Sequence, residues 1–108
     1  MKISERSQRL GSIIQAALPP IIQSIYSPEE VGFVTITAVE VSGDLEFVDV
    51  FVRSIGGPKS TFAKLRRSEK RVAQELIKQI DVRRVPIVRF KSDASVSYYN
   101  SIKDKFDD

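Results

Sequence analysis

Between Lys64 and Arg71 the chain runs Lys-Leu-Arg-Arg-Ser-Glu-Lys-Arg, five cations and one carboxylate in eight residues. On a continuous helix Lys64, Arg67 and Arg71 stand at i, i+3 and i+7, with Arg66 and Lys70 at i and i+4, so the charges spread over two turns. Such a run has no nucleophile and no proton acceptor poised near neutrality. What it can do is hold phosphates: basic side chains displace counterions from a nucleic-acid backbone and give an affinity that falls with salt and depends little on sequence. The plain alternative is a solvated helix surface. Arg83 and Arg84 flank the next strand and either extend the patch or are plain surface charges. Arg6 and Arg9 sit near the start of the first helix, where the dipole disfavours cations, which argues that a partner compensates them.

The rest of the composition removes other chemistries. The 108 residues contain no His and no Cys, so thiolate catalysis, disulfides and the usual zinc ligands are excluded. Glu40 and Asp44, and Asp104 with Asp107 and Asp108, are carboxylates near one another, but none has a nucleophile or metal cage beside it. Gly56-Gly57-Pro58 lacks the Gly-Lys-Ser/Thr of a phosphate loop. The expectation is a binding protein without cofactor or metal, not an enzyme. Net charge is divided along the chain. Residues 1 to 58 hold four Lys/Arg against seven Asp/Glu, residues 59 to 91 eleven against three, and the last seventeen two against four. A basic block in an otherwise acidic chain is the footprint of phosphate contact. No apolar run approaches the ~20 residues that cross a bilayer, and the opening Met1-Lys2-Ile3-Ser4-Glu5 reads as neither signal nor transit peptide. A cytoplasmic monomer, with no membrane partner, is expected.

The elements that must carry these residues follow from periodicity. Leu10, Ile13, Ile14, Ala17, Leu18, Ile21, Ile22 and Ile25 keep a three-and-four spacing, an amphipathic helix. Pro19 and Pro20 interrupt it, so the expectation is a kinked helix or two helices end to end. Ser27-Pro28 ends it, and Glu29-Glu30 leads into the first strand. The stretch from Phe33 to Ser54 reads as a hairpin turning at Ser42-Gly43-Asp44, with Gly43 supplying positive φ. In its second arm Val48, Val50 and Val52 face one way and Phe47, Asp49, Phe51 and Arg53 the other. In the first arm the apolar phase shifts near Ala38, predicting a bulge or burial of both faces. Ser60 or Thr61 caps the next helix, and Val72, Ala73, Leu76, Ile77 and Ile80 make a second stripe. Ser68 either lies within one helix or starts a new one after a kink. Ile87 to Lys91 is a third strand, with Ile87, Arg89 and Lys91 opposite Val88 and Phe90. Phe47 and Phe51 are placed either to stack on bases or to pack across strands, and the second reading is the stronger. The order is helix, strand, strand, helix, helix, strand in one domain over 1–108, with 97–108 either a short C-terminal helix or a frayed end.

Four stretches of this order resemble the ribosome-binding factor A family of small-subunit assembly factors. They are Arg6-Ser7-Gln8-Arg9-Leu10; Val34-Thr35-Ile36-Thr37 with Val39-Glu40-Val41-Ser42 and Asp44-Leu45; Val48, Val50, Phe51 and Val52; and Arg83-Arg84-Val85-Pro86 leading to Phe90 and Asp93. The resemblance implies a type II KH-like α+β fold, α-β-β-α-α-β, with a three-stranded mixed sheet covered by helices on one face. It also implies an interhelical kink on an Ala-x-Gly pattern, here Ser68-Glu69-Lys70. The missing glycine, and Gly43 and Asp49 at positions often basic in relatives, are departures. The function implied is non-catalytic: binding 16S-type rRNA of the 30S subunit, beside neighbouring ribosomal proteins, to assist maturation. Lys64, Arg66, Arg67, Ser68, Lys70, Arg71, Arg83, Arg84, Arg6 and Arg9 are the candidate RNA-binding residues. The alternative is a protein-interaction module whose basic segment meets an acidic partner.

Overall fold

Alternation on one strand organises the molecule. The computed structural model describes residues 5–93, and the segment from 97 to 108 lies outside the described residues. Strand β1 (Phe33–Val41) pairs antiparallel with β2 (Phe47–Ile55), and β2 pairs parallel with β3 (Ile87–Ser92), giving a mixed sheet of order β1-β2-β3. Val48, Val50 and Val52 of β2 are no more than 1% exposed. In register beside them stand Val41, Val39 and Ile36 of β1, and Val88 and Phe90 of β3. This apolar face is closed by α1 (Glu5–Ile25) through Ile14, Leu18, Ile21 and Ile22, and by α4 (Glu69–Ile77) through Val72, Ala73 and Leu76. The short helices α2 (Pro28–Val31) and α3 (Thr61–Arg67) add Val31 and Leu65 to the same core. The expected α+β order is present, and the bulge falls between Ile36 and Ala38, with the Thr37 hydroxyl donating to the Phe51 carbonyl at 3.2 Å.

Of the two readings of the first stripe, a single helix holds: α1 runs through Pro19 and Pro20 with no second helix starting after them. The carbonyls that lose their donors belong to Gln15 and Ala16, both exposed, so water can serve them while the core stripe stays in phase. Pro28–Val31 is helical, not a lead into the strand: the Glu30 carboxylate accepts from the Ser27 backbone N–H at 3.0 Å, and Pro28 is pre-set for a first helical turn. Ser60 is the N-cap residue of α3, as expected, but its side chain makes no cap bond; the Thr61 hydroxyl donates to the Pro58 carbonyl at 2.8 Å. In the hairpin the positive φ is at Leu45, φ 62°, and not at Gly43. The left-handed residue is held by side chains. The Ser42 hydroxyl oxygen accepts from the N–H groups of Glu46 (3.1 Å) and Phe47 (2.9 Å), while its proton goes to the Asp44 carboxylate at 2.6 Å. These bonds offset the ~1 to 2 kcal/mol that a Cβ costs in that region.

The top of the sheet closes on glycine. Gly32, φ 73°, lies so near the following loop that a Cβ on it would stand 2.5 Å from the Gly57 nitrogen. Gly56 has a similar φ of 76° but open space around it. Gly32→Ala is expected to lose about 2 to 4 kcal/mol, from overpacking added to backbone strain, and Gly56→Ala only about 1 kcal/mol from strain alone. Urea denaturation of both variants checks this, and equal losses would refute the packing argument. At the turn, the Ser42 hydroxyl and then the Glu46 N–H hold the Asp44 carboxyl below its ordinary 3.8. A carboxyl with a lowered folded value contributes stability above pH 3.8 that is lost as pH falls through that folded value. Ser42→Ala is therefore expected to move the Asp44 titration, followed by NMR, back toward 3.8.

Candidate nucleic-acid interface

The kink is built by one serine. Helices α3 and α4 meet at Ser68, whose φ of −96° and ψ of 4° break the helical path without needing glycine. Its hydroxyl donates to the Leu65 carbonyl at 2.8 Å, its N–H approaches the same carbonyl at 3.1 Å, and its own carbonyl starts α4 by accepting from Val72 N–H at 2.8 Å. Ser68 is 7% exposed, so its hydroxyl proton serves the kink internally. The next residue ties the kink to the sheet. β3 has a neighbour on one side only, and on its free edge the Phe90 N–H donates to the Glu69 carboxylate at 2.7 Å. Glu69 thus supplies the acceptor that a further strand would have given.

Around this tie Arg66, Arg67, Lys70 and Arg71 are all exposed, and none forms an ion pair with a described carboxylate. Lys64 turns away: its ammonium donates to the Glu30 carbonyl of α2 at 2.9 Å, and its own carbonyl accepts from the Tyr26 hydroxyl at 2.6 Å. The other predicted residues are not at the kink. Arg6 of α1 comes together with Arg83 and Arg84 of the α4–β3 connector at the hairpin end, around a groove of about 700 Å³ that also includes Asp44 and Glu46. Arg9 is paired with Glu5 at 2.7 Å on the exposed side of α1, a contact of little energetic weight.

The two clusters are joined by a groove of about 360 Å³ between α4 and the free edge of β3. Lys70 and Gln74 form its helical side; Val85 and Ile87 line it and the hairpin-end groove alike. Val85 and Ile87 are 50% and 48% exposed. The result is one trough with Lys70 at one end, Arg6, Arg83 and Arg84 at the other, and Val85 and Ile87 between them. Sequence reasoning missed Glu69, Gln74, Val85 and Ile87, because only the parallel placement of β3 at the sheet edge gives them a common position. The charge in the trough is mixed. Asp44 and Glu46 share the hairpin-end groove with Arg6, Arg83 and Arg84, and Glu69 lies beside Lys70 at the kink end.

The sheet face away from the helices does not add to it. Asp49, 4% exposed, accepts from Arg89 Nε at 2.5 Å and from its terminal nitrogen at 3.0 Å, with the Lys91 ammonium at 3.3 Å. Arg89 lies 4.6 Å from the Phe47 ring centre and Lys91 5.9 Å from that of Phe51. The aromatics pack across strands under the chain's own cations, and those cations are committed to Asp49. Among the described residues no cluster of carboxylates could hold a metal ion, and no helix is long and apolar enough to cross a membrane.

Known proteins are similar to this chain over most of its length. A ribosome-binding factor A from Macrococcus caseolyticus is 36% identical over 104 residues, covering 94% of this chain and 91% of its own. The crystal structure of ribosome-binding factor A from Thermus thermophilus superposes with a TM-score of 0.71 at 26% identity, covering 80% of this chain and 94% of that one. Coordinates of the Thermus thermophilus factor fitted into a cryo-electron-microscopy map of a 30S complex give 0.63 at 21% identity, covering 83% and 93%. The family model described as ribosome-binding factor A matches residues 6–106. With the fold and nearly the whole length in common, this chain belongs to the ribosome-binding factor A family.

Proposed function

We propose that this protein associates with the small ribosomal subunit and assists its maturation by holding a segment of 16S-type rRNA along the trough at the free edge of β3. The observation that carries this is the set of four exposed cations at the kink, Arg66, Arg67, Lys70 and Arg71, without an ion pair among the described residues, of which Lys70 lines the groove with Val85 and Ile87. Phosphates need such cations and base faces such an apolar pair, and a single strand with its bases turned inward satisfies both. The family membership supports the ribosomal setting, as does the Thermus thermophilus relative, which has been fitted into a map of a 30S complex. Its mode of action is to bind one rRNA conformer better than its competitors, which shifts the population toward it. Neighbouring ribosomal proteins on the same subunit complete the set of partners.

The competing reading, a basic segment that meets an acidic protein, predicts different salt and charge behaviour. For a single-stranded RNA oligonucleotide the logarithm of affinity should fall with the logarithm of salt by about 0.7 per phosphate held. Arg66→Glu, Arg67→Glu and Lys70→Glu together should weaken binding by at least about tenfold and flatten that slope by about 2. Arg9→Glu, at a cation already paired, should change little. Sedimentation of tagged protein with small-subunit precursors should be lost in the triple variant and kept in the single one. Full retention of RNA binding and of sedimentation by the triple variant would sink the proposal.

A further inference from the structure

The hairpin end of the trough holds charges of both signs that do not pair. Arg6, Arg83 and Arg84 line it together with Asp44 and Glu46, and none of the three arginines forms an ion pair among the described residues. The two carboxylates differ in what they are free to do. Asp44 is spent on the turn, where it accepts from the Ser42 hydroxyl at 2.6 Å and from the Glu46 N–H at 3.1 Å. Glu46 is tied through its backbone. Its N–H also donates to the Ser42 hydroxyl oxygen at 3.1 Å, and its carbonyl accepts from the Ile87 N–H at 2.8 Å. The hairpin on one side and β3 on the other therefore fix where Glu46 stands. Its side chain is exposed and forms no ion pair among the described residues.

An occupant of this groove has to meet opposite demands. An acidic peptide satisfies the arginines but sets a like charge against Glu46, and a basic peptide does the reverse. A nucleotide carries both answers, an anionic phosphate and neutral N–H donors on the edge of its base. Leu45, Val82, Val85 and Ile87 supply apolar lining for the face of that base. The groove, about 700 Å³, lies within the ~300 to 1,000 Å³ of sites that take small ligands, so one nucleotide has room.

We infer that the hairpin-end groove reads a guanine of the bound RNA, with Glu46 as the specificity-determining residue. The inference rests on the proposed RNA trough, which shares Val85 and Ile87 with this groove and so leads a strand into it. The two carboxylate oxygens of Glu46 accept from N1–H and from the N2 amino group of guanine, two donors side by side on one base edge. Adenine and cytosine place a ring-nitrogen acceptor beside their single amino group, and uracil sets its one N–H between two carbonyls. Each of these turns an acceptor on the carboxylate, which repels it. The arginines hold the flanking phosphates.

The test compares, by fluorescence anisotropy on the full chain, dodecauridine with the same RNA carrying one central guanine, adenine or inosine. Inosine keeps N1–H but lacks the N2 amino group. The guanine RNA is expected to bind about tenfold tighter than dodecauridine, the adenine RNA no tighter, and inosine to lose at least about threefold of the guanine advantage. Glu46→Gln, which replaces one acceptor by a donor, should cut that advantage to below about twofold and make guanine and inosine equivalent. Its thermal midpoint should stay near that of the parent, because the side chain is exposed. Arg66→Glu, Arg67→Glu and Lys70→Glu together should weaken every RNA alike and leave the guanine advantage in place. Equal binding of the guanine and uridine RNAs, an advantage that inosine keeps in full, or one that survives Glu46→Gln would overturn the inference while RNA binding by the trough stands. If none of the RNAs binds, the proposed function fails and the inference falls with it.

Discussion

The central strand decides what the rest of the chain has to do. β2 gives both of its hydrogen-bonding edges to neighbours and one of its faces, Val48, Val50 and Val52, to the core. Two helices suffice to cover that face, and with three strands the sheet still has two outer edges and an outer face to manage. Each is handled by a few side chains. Gln15 takes the Ile36 carbonyl on the β1 edge, Glu69 takes the Phe90 N–H on the β3 edge, and Asp49 with Arg89 and Lys91 roofs the outer face. Where that management stops, at Val34 on one edge and Val85 to Ile87 on the other, the molecule has its two grooves. The proposed trough is such an unfinished part of a small sheet.

Electrostatics then separate the grooves. Of the basic block between residues 59 and 91, Arg89 and Lys91 are held by Asp49, Lys78 by Glu75, and Lys64 by a carbonyl of α2. Lys59, Arg66, Arg67, Lys70, Arg71, Arg83 and Arg84 remain without a described carboxylate partner, and all are exposed. Self-pairing consumes the cations on the sheet and leaves those at the kink and the connector. Of these, Lys70, Arg83 and Arg84 line the grooves beside β3, while α2, with Glu29 and Glu30, packs against α3 as well as β1.

What could be read from the sequence was what depends on near neighbours. The alternation of Val48, Val50 and Val52, the stripe from Leu10 to Ile25 and the phase shift at Ala38 are local patterns, and they gave the strands, the first helix and the bulge. Features set by distant partners were not legible. Leu45 takes the left-handed conformation because Ser42 and Asp44 hold the turn around it, whereas propensity alone assigns that role to Gly43. Pro19 and Pro20 stay inside one helix because their orphaned carbonyls fall on its exposed side. The candidate cations could be picked out by charge alone, yet their division into a kink cluster and a hairpin-end cluster follows from where β3 docks. The withdrawal of Lys64 and Ser68 into internal hydrogen bonds follows from α2 and from the helix junction.

The kink itself shows how a backbone device can be exchanged for a side-chain one. A glycine at such a junction lets a phosphate approach the main chain closely, because no Cβ stands in the way. Here Ser68 makes the break by returning its hydroxyl to Leu65, Glu69 is spent on the β3 edge, and Lys70 occupies the position where the resemblance implies glycine. Close main-chain approach at that point is blocked by a long side chain, but the same side chain carries a charge on a flexible stem into the trough. On the proposed function, recognition built this way draws its strength from counterion release and little of it from fixed donors, so it tolerates sequence changes in the RNA. Selectivity at the kink must then come from shape: whether a strand can lie along the β3 edge with its bases over Val85 and Ile87 and its phosphates within reach of Arg66, Arg67 and Lys70. A folded duplex, with its bases turned inward on each other, cannot present both at once. The proposed function therefore amounts to distinguishing RNA by its state of folding, which is the distinction that matters while a ribosomal subunit is being assembled.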